Sequence, residues 1–445
     1  MFFNVLPIDS FFLLLRYGFF SSATMNEDLL HYIWFQKQFP LSPTTTAGEP
    51  LEIIDIGQPN SDAGPDVFNA KVKIGTQLWC GNVEFHVNSS DWFRHGHETD
   101  KAYDSVILHV VFNADCEVKR TEKGLIPQWE IAVPTELATK YKAIQTCRQM
   151  PYCADKLSSI QEITIRHWLN RLLIERLERK VNAVDAILAQ TTNNWEEAFY
   201  ITLCRNFGFS TNADAFEQTA KSLPLTILGK HKDNLFQIES LLFGQAGWLD
   251  SEKKDDYVQS LAKEYRFLSQ KYQLRQPMCI QWKFLRLRPA NFPTVRMAQF
   301  AALVHKSNRL LSKLLECKNY QEIRSFFNIS AGKYWDTHYT FGKESPKRIK
   351  SLSESSVNII TINTVVPFLF AYGKKHGDET LQETALNLLE SLPPERNHIV
   401  TKFRDLHLPA ENAADTQAIL QLKTNYCDAK KCLRCAIGCQ LIKYI

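Results

Sequence analysis

The sequence predicts an α+β protein in which a small mixed α/β module precedes a mainly α-helical domain and a C-terminal cysteine cluster. Three observations predict it. Short runs rich in β-branched and aromatic residues, separated by turn residues, fill the stretch from Leu51 to Val133. From Ser158 the apolar period becomes helical, through Ile160, Ile163, Ile165, Trp168, Leu169, Leu172, Leu173 and Leu177. Cys427, Cys432, Cys435 and Cys439 then crowd into the tail.

Composition bounds the answer. A chain of 445 residues has room for two or three domains at about 100–200 residues each. With 44% hydrophobic and 22% charged residues it is neither disordered nor fibrous, and a net charge of +4 is too small to announce a nucleic-acid or membrane partner. No apolar run reaches the roughly 18 residues of a spanning helix, so no membrane association is expected. Eleven cysteines, an odd number scattered through a long chain, read as free thiols in a cytoplasmic protein.

Taken in order, the apolar segment Phe11 to Phe20 and the small residues Ser21-Ser22-Ala23 imitate a signal peptide. The charge order is wrong for one: Asp9 precedes the segment and Arg16 interrupts it. Met25 opens the acidic start Asn26-Glu27-Asp28, so translation is expected to begin there, with 1–24 a misassigned start or a disordered extension. An amphipathic helix follows over Leu29 to Phe39, then a polar loop from Leu41 to Pro50. Strands are expected at Leu51 to Ile56, Val67 to Ile74, Gln77 to Val87, Val106 to Phe112 and Gln128 to Val133, with Ser89 to Asp104 polar and helical at its start. Later helices are expected near 194–206, 213–222, 234–243, 254–271, 293–316, 320–328, 362–371, 379–391 and 414–424. The domains are thus 25–145, 155–424 and a cysteine tail at 425–445.

Chemistry concentrates between Asp62 and His109. On a strand, residues two apart share a face, so Glu84 and His86 project together while Val83, Phe85 and Val87 point the other way. Asp66, at the start of the preceding strand, adds a second carboxylate. Two carboxylates with bound water suit Mg²⁺ or Mn²⁺, and His86 is placed to orient or deprotonate an attacking water. His95, His97 and Asp100 follow in a polar stretch that reads equally as a metal site or a turn. His109, among Val106, Ile107, Leu108, Val110 and Val111, reads first as a core imidazole, and Trp92 as a core ring.

Pro65-Asp66, then Glu84-Phe85-His86, within the order helix, three strands, helix and strand, resembles the core of the PD-(D/E)XK nuclease superfamily. The resemblance implies a restriction-endonuclease-like fold and divalent-metal-dependent hydrolysis of phosphodiester bonds in DNA or RNA. Asp66 and Glu84 would be the metal ligands, and His86 stands where that superfamily has a lysine. Taken whole, the chain resembles a bacterial family named as a domain of unknown function, family 2851. GPDVFNAKVKI, GNVEFHVNSSDWFRHGH, YDSVILHVVF, ESLLFGQAGWL, RLRPANFPTVRMAQFA and YCDAKKCLRCAIG carry that likeness.

Arg286, Arg288 and Arg296 near a helix start at Pro293 are candidate contacts to a phosphate backbone, or bridges between helices. Tyr334-Trp335 and His338-Tyr339 form an aromatic cluster that could stack nucleic-acid bases, although core packing explains it more cheaply. Gly244-Gln245-Ala246-Gly247 lacks the Lys-Ser/Thr of a phosphate loop. The tail cysteines suit Zn²⁺ or an iron–sulfur cluster, with the fourth ligand open among Cys439, Cys147 and Cys153. Certain nucleases of the same superfamily latch their fold with such a cluster, and the tail is similar in its position. Two rival readings stand beside the nuclease: a non-catalytic nucleic-acid-binding or scaffolding protein, and a zinc metallohydrolase using His86, His95, His97 and Asp100 on a small substrate.

Overall fold

The computed structural model describes residues 25–60, 63–120, 124–146, 151–249, 255–277, 280–307 and 309–444. The reading of 1–24 as a misassigned start, and Cys147 as a candidate ligand, lie outside them. The chain divides into two compact units, one of residues up to Trp168 together with Leu422 onward, the other Leu169–Gln421.

The first unit is built on a mixed sheet in the order β1 (Leu51–Asp55), β3 (Val67–Ile74), β4 (Gln77–Asn88), β5 (Val106–Asn113) and β6 (Gln128–Glu130), with the short β2 (Gln58–Pro59) pairing β3. The β1–β3 and β3–β4 pairs are antiparallel, and β4–β5 and β5–β6 are parallel. Ile74 pairs with Gln77, leaving the two-residue turn Gly75-Thr76, and Gly75 at φ 58° supplies the positive dihedral such a hairpin needs. A parallel step demands a crossover, made by the short helix α2 (Asp91–Arg94) and a 3₁₀ turn at Lys101–Ser105. Gly81 lets β5 approach: a Cβ there would lie 2.4 Å from Ile107 Cγ2 and 2.6 Å from the Ser105 carbonyl oxygen.

Helix α1 (Glu27–Phe35) begins where Asn26 accepts a hydrogen bond from the Leu29 N–H and Glu27 and Asp28 face the positive end of the helix dipole. Its Leu29, Leu30, Ile33 and Trp34 pack on one face of the sheet against Val72, Val83, Phe85, Val110 and Trp129. The tail returns to this core: Leu433 and Ile442 are part of it, and Arg434 pairs with Asp28 at 2.7 Å. A smaller core of Trp92, Val106, Val118 and Ile126, with Tyr103 packed against it, includes the crossover.

The five expected strands are all present, within a few residues of their expected ends. The second unit is mainly helical. After α3 (Thr135–Thr146) in the first unit and α4 (Glu162–Gln190), along which the division falls, come α5 (Trp195–Phe207), α6 (Phe209–Ser222), α7 (Leu225–Lys230), α8 (Leu235–Gln245), α9 (Asp256–Tyr272) and α10 (Pro293–Lys306). Then follow α11 (Leu310–Leu315), α12 (Tyr320–Phe326), α13 (Glu354–Ile360), α14 (Val366–His376), α15 (Glu379–Ser391), α16 (His398–Asp405) and α17 (Ala413–Gln421). The helix expected over 293–316 breaks: Ser307 is extended, and α10 and α11 form instead. The one expected at 362–371 is the later part of a continuous stretch, Glu354–His376, with a π turn at Thr361–Val365. That stretch is long and apolar enough to cross a bilayer, but 78% of its most apolar window is buried inside the fold, as in a core helix.

Candidate metal centre

The candidate centre lies on β4, with β3, β5 and α1 supplying its neighbours. Strand alternation turns Val83 and Phe85 into the α1 side of the sheet and Glu84 and His86 to the other. That second face is covered too, so Glu84 is 5% and His86 1% exposed. The Trp92 and His97 rings stand over His86, at centroid distances of 6.4 Å and 5.3 Å.

Asp66 and Glu84 lock two strands together. Glu84 Oε2 accepts from the Asp66 N–H at 3.0 Å, and Asp66 Oδ2 accepts from the Phe85 N–H at 3.1 Å. The β3–β4 register shifts just beyond, between Val67 and Ala70, where Asn69 has φ 58° and its N–H meets Asn82 Oδ1. A bulge of this kind re-aims side chains near a site.

The imidazoles converge on the free edge of Glu84. Its Oε1 lies 3.3 Å from His97 Nε2 and 3.8 Å from His86 Nε2. His86 Nε2 is 3.1 Å from His95 Nδ1, and one ring nitrogen from each of His86, His95 and His97 lies within 4.8 Å of the others. Behind them, His86 Nδ1 meets His109 Nε2 at 2.8 Å. For His86 Nε2 to present a lone pair, Nδ1 must carry the proton and donate it to His109 Nε2. His109 then carries its own proton on Nδ1, which has no hydrogen-bond partner among the described residues.

Burial sets the charge states. It pushes His86 down to about 2, helped by His109, His97 and His95, and His109 down to about 3, so both rings stay neutral in ordinary buffers. Glu84 is pushed well above the usual carboxylate range by burial and by the Asp66 charge, while the His97 contact pulls it back. Neutral imidazoles beside a carboxylate reluctant to ionise form a set that a cation would stabilise.

Asp66, Glu84, His86, His95, His97 and His109 are therefore brought together. Asp100 is exposed and caps the Lys101–Ser105 turn, accepting from the Ala102 N–H at 2.9 Å. In the second unit Arg286 and Arg288 are exposed, while Arg296 is buried. The Arg296 guanidinium donates to Asn291 Oδ1 at 2.6 Å, Ser356 Oγ at 2.9 Å and Gln299 Oε1 at 3.0 Å. Of the tail cysteines, Cys427 and Cys435 are buried, and Cys432 and Cys439 half-buried.

Three neighbours carry no local sequence signal. His31 on α1 lies 3.3 Å from Asp66 Oδ2 and edge-on to Phe85. Glu27, one turn earlier, is pushed up by burial and by Asp66. The Tyr103 ring stacks on His97 at 3.7 Å, and burial lifts its hydroxyl to about 12. The Glu27–His31 spacing, four residues on one helix face, is the only hint the sequence holds.

Fold and site together define a class: an α+β protein whose mixed sheet carries a buried carboxylate–imidazole cluster. The chain belongs to the family described as protein of unknown function (DUF2851), matched over residues 27–398. No curated protein and no solved structure matches the chain.

Proposed function

We propose that the protein is a metal-dependent phosphodiesterase acting on DNA or RNA, with its ion held by Glu84 and the imidazoles of His86, His95 and His97. One observation carries this: Glu84 Oε1 faces the Nε2 atoms of His97 and His86 at 3.3 Å and 3.8 Å, inside a cluster of ring nitrogens. A nitrogen-rich set suits Mn²⁺ or Zn²⁺ better than Mg²⁺, which favours oxygen ligands. When bound, such an ion supplies a hydroxide at neutral pH and neutralises charge on phosphoryl oxygens.

The chain's own groups have separable roles. His86, with its pKa pushed down to about 2, is fitted to ligation rather than to taking a proton. His109 holds the His86 ring in place, and Tyr103 does so for His97. Asp66 ties β3 to β4 and keeps an oxygen beside His31. His95, exposed at the edge of the cluster, leaves that side of the proposed site open to solvent. The phosphodiester substrate rests on the likeness to the PD-(D/E)XK core. The order helix, four strands of which the second is only two residues long, short helix, strand, with β4 and β5 parallel, supports that likeness, as does the pairing of Asp66, just before β3, with Glu84 on β4.

The nitrogen-rich donor set also favours a second reading, a zinc hydrolase acting on a small substrate. One experiment separates them. Labelled single- and double-stranded DNA and RNA, and a small aryl ester, are incubated with the full chain and Mn²⁺, Zn²⁺ or Mg²⁺, beside its Glu84→Gln variant. Metal-dependent cutting of nucleic acid, reduced about 100-fold or more in the variant, is expected. Turnover of the ester alone favours the small-substrate enzyme. Metal-independent binding without cleavage, equal in both proteins, overturns the catalytic reading in favour of a binding or scaffolding role.

A further inference from the structure

The cysteine tail folds back onto a cysteine far away in sequence. Cys153 sits just before a 3₁₀ turn at Ala154–Ser159, and its side chain makes no capping bond to that turn. Two ring contacts bring this region to the tail: Lys430 Nζ lies 5.6 Å from the Tyr152 ring, and Trp168 packs edge-on to Tyr426 at 5.2 Å. The tail itself is tightly wound. The Lys431 N–H donates to the Tyr426 carbonyl at 2.8 Å, and the Lys430 N–H to the Cys427 carbonyl at 3.1 Å. Gly438, in α18 (Ala436–Tyr444), lies against the Cys432 backbone, where a Cβ would come within 2.2 Å of the carbonyl oxygen.

Within this knot Cys427 and Cys435 are buried and Cys153 and Cys432 half-buried, the Cys435 N–H donates to the Cys432 carbonyl at 3.3 Å, and the four sulfurs are near enough for a charge on one to oppose a charge on the next. Burial and this mutual repulsion lift the Cys153 and Cys432 thiols to about 12, while Lys430 pulls Cys432 back. The Cys435 sulfur is flanked by the Ile437 and Gly438 N–H groups and by Trp168, all of which favour a thiolate against the burial that opposes it. Cys439 is turned elsewhere. Its Sγ is 2.8 Å from the Leu433 carbonyl oxygen, and its side chain packs against the α1 core.

We propose that Cys153, Cys427, Cys432 and Cys435 form a tetrathiolate metal centre that fastens the C-terminal tail to the segment following the sheet, and that Cys439 is not a ligand. Four neutral thiols crowded in a buried knot gain little from one another. A thiophilic metal binds such a set as thiolates, with the thiol protons passing to solvent, and its positive charge offsets the repulsion that four bare thiolates would have. Lys430, whose charge already pulls Cys432 down, offsets part of the resulting negative charge. The proposal is independent of the activity assigned to the Glu84 cluster.

The test uses the full chain, as purified and after reconstitution with Zn²⁺ or with ferrous iron and sulfide, in wild-type, Cys153→Ser, Cys153→His and Cys439→Ser forms. Metal content is read beside the thiolate-to-cobalt charge-transfer band of the Co²⁺-loaded protein, which imidazole and carboxylate sites do not give. Wild type and Cys439→Ser are expected to hold the centre alike, Cys153→Ser to retain at least about 10-fold less, and Cys153→His, which keeps a ligand, to recover much of it. Zinc in a colourless protein identifies a single ion; iron with matching acid-labile sulfide in a brown one identifies a cluster. Either supports the centre. Loss of metal in Cys439→Ser with retention in Cys153→Ser overturns the ligand set, and a wild type that takes up neither, with no thiolate band, overturns the centre. Should Cys153→Ser not fold, alkylation of wild type with and without chelator decides: protection of the four named cysteines that chelation removes is expected, and its absence refutes the centre.

Discussion

Away from the Glu84 cluster, Glu239 is the carboxyl whose burial has the clearest consequence for stability. It is buried in the second unit, where it accepts from Trp335 Nε1 at 3.3 Å and from the Tyr257 hydroxyl. Burial raises it to about 7, against an ordinary 4.5, and the two donors only partly offset that. A carboxyl whose folded pKa is raised binds its proton more tightly in the native state. Its protonated form costs nothing extra below about 4.5, and stability falls as pH rises from there through about 7. Glu239→Gln is therefore expected to raise Tm by several degrees near pH 8 and to change it little near pH 4, measured by thermal unfolding at both. An equal shift at both pH values would contradict the assignment. Asp66, Glu84 and His86 were legible as a set because strand alternation alone puts Glu84 and His86 on one face. His31 and Tyr103 were not, since only tertiary packing brings them beside those partners, and Cys153 was legible only as one of three candidates for the fourth ligand of the tail.

At the scale of elements, β4 was read from its alternation within one residue of its observed end, and α1 from its Asn26 cap and acidic first turn. Strong local chemistry of that kind survives folding. Asn194, Asn234, Asp255, Asn319, Asp378 and Asn397 likewise cap helices in the second unit. The break at Ser307 does carry a signal, the polar run His305 to Arg309 that interrupts the apolar pattern, although the helix expected over 293–316 runs across it; the π turn at Thr361–Val365 carries none, because apolar periodicity continues across it. Helix α1 also has an energetic role: Trp34 is fully buried, its indole N–H donates to the Ile56 carbonyl at 3.0 Å, and its ring meets Phe85 edge-on. Trp34→Ala is expected to destabilise the first unit by about 3–5 kcal/mol, read from the urea unfolding of that unit. A loss below about 1 kcal/mol would mean that the helix does not hold the β4 face in place.

At the scale of the whole chain, the mixed module, the mainly helical region and the cysteine tail were all legible from periodicity and cysteine spacing. The return of the tail to the first unit was not, since nothing local records that Leu433 and Ile442 complete the core beside α1. The same return places Cys432 and Cys435 near Cys153. A sheet whose two faces are both covered has little reason to bury a carboxylate and two imidazoles except to use them, and desolvation of all three works against stability unless a cation joins them. We propose above that the Glu84 cluster holds a catalytic metal. Anomalous diffraction at the manganese and zinc edges, from crystals of the full chain soaked in each ion, tests it most directly. A peak is expected within bonding reach, about 2.0–2.2 Å, of Glu84 Oε1 and of ring nitrogens of His86, His95 and His97. Full occupancy at other sites with no density at this cluster would contradict it.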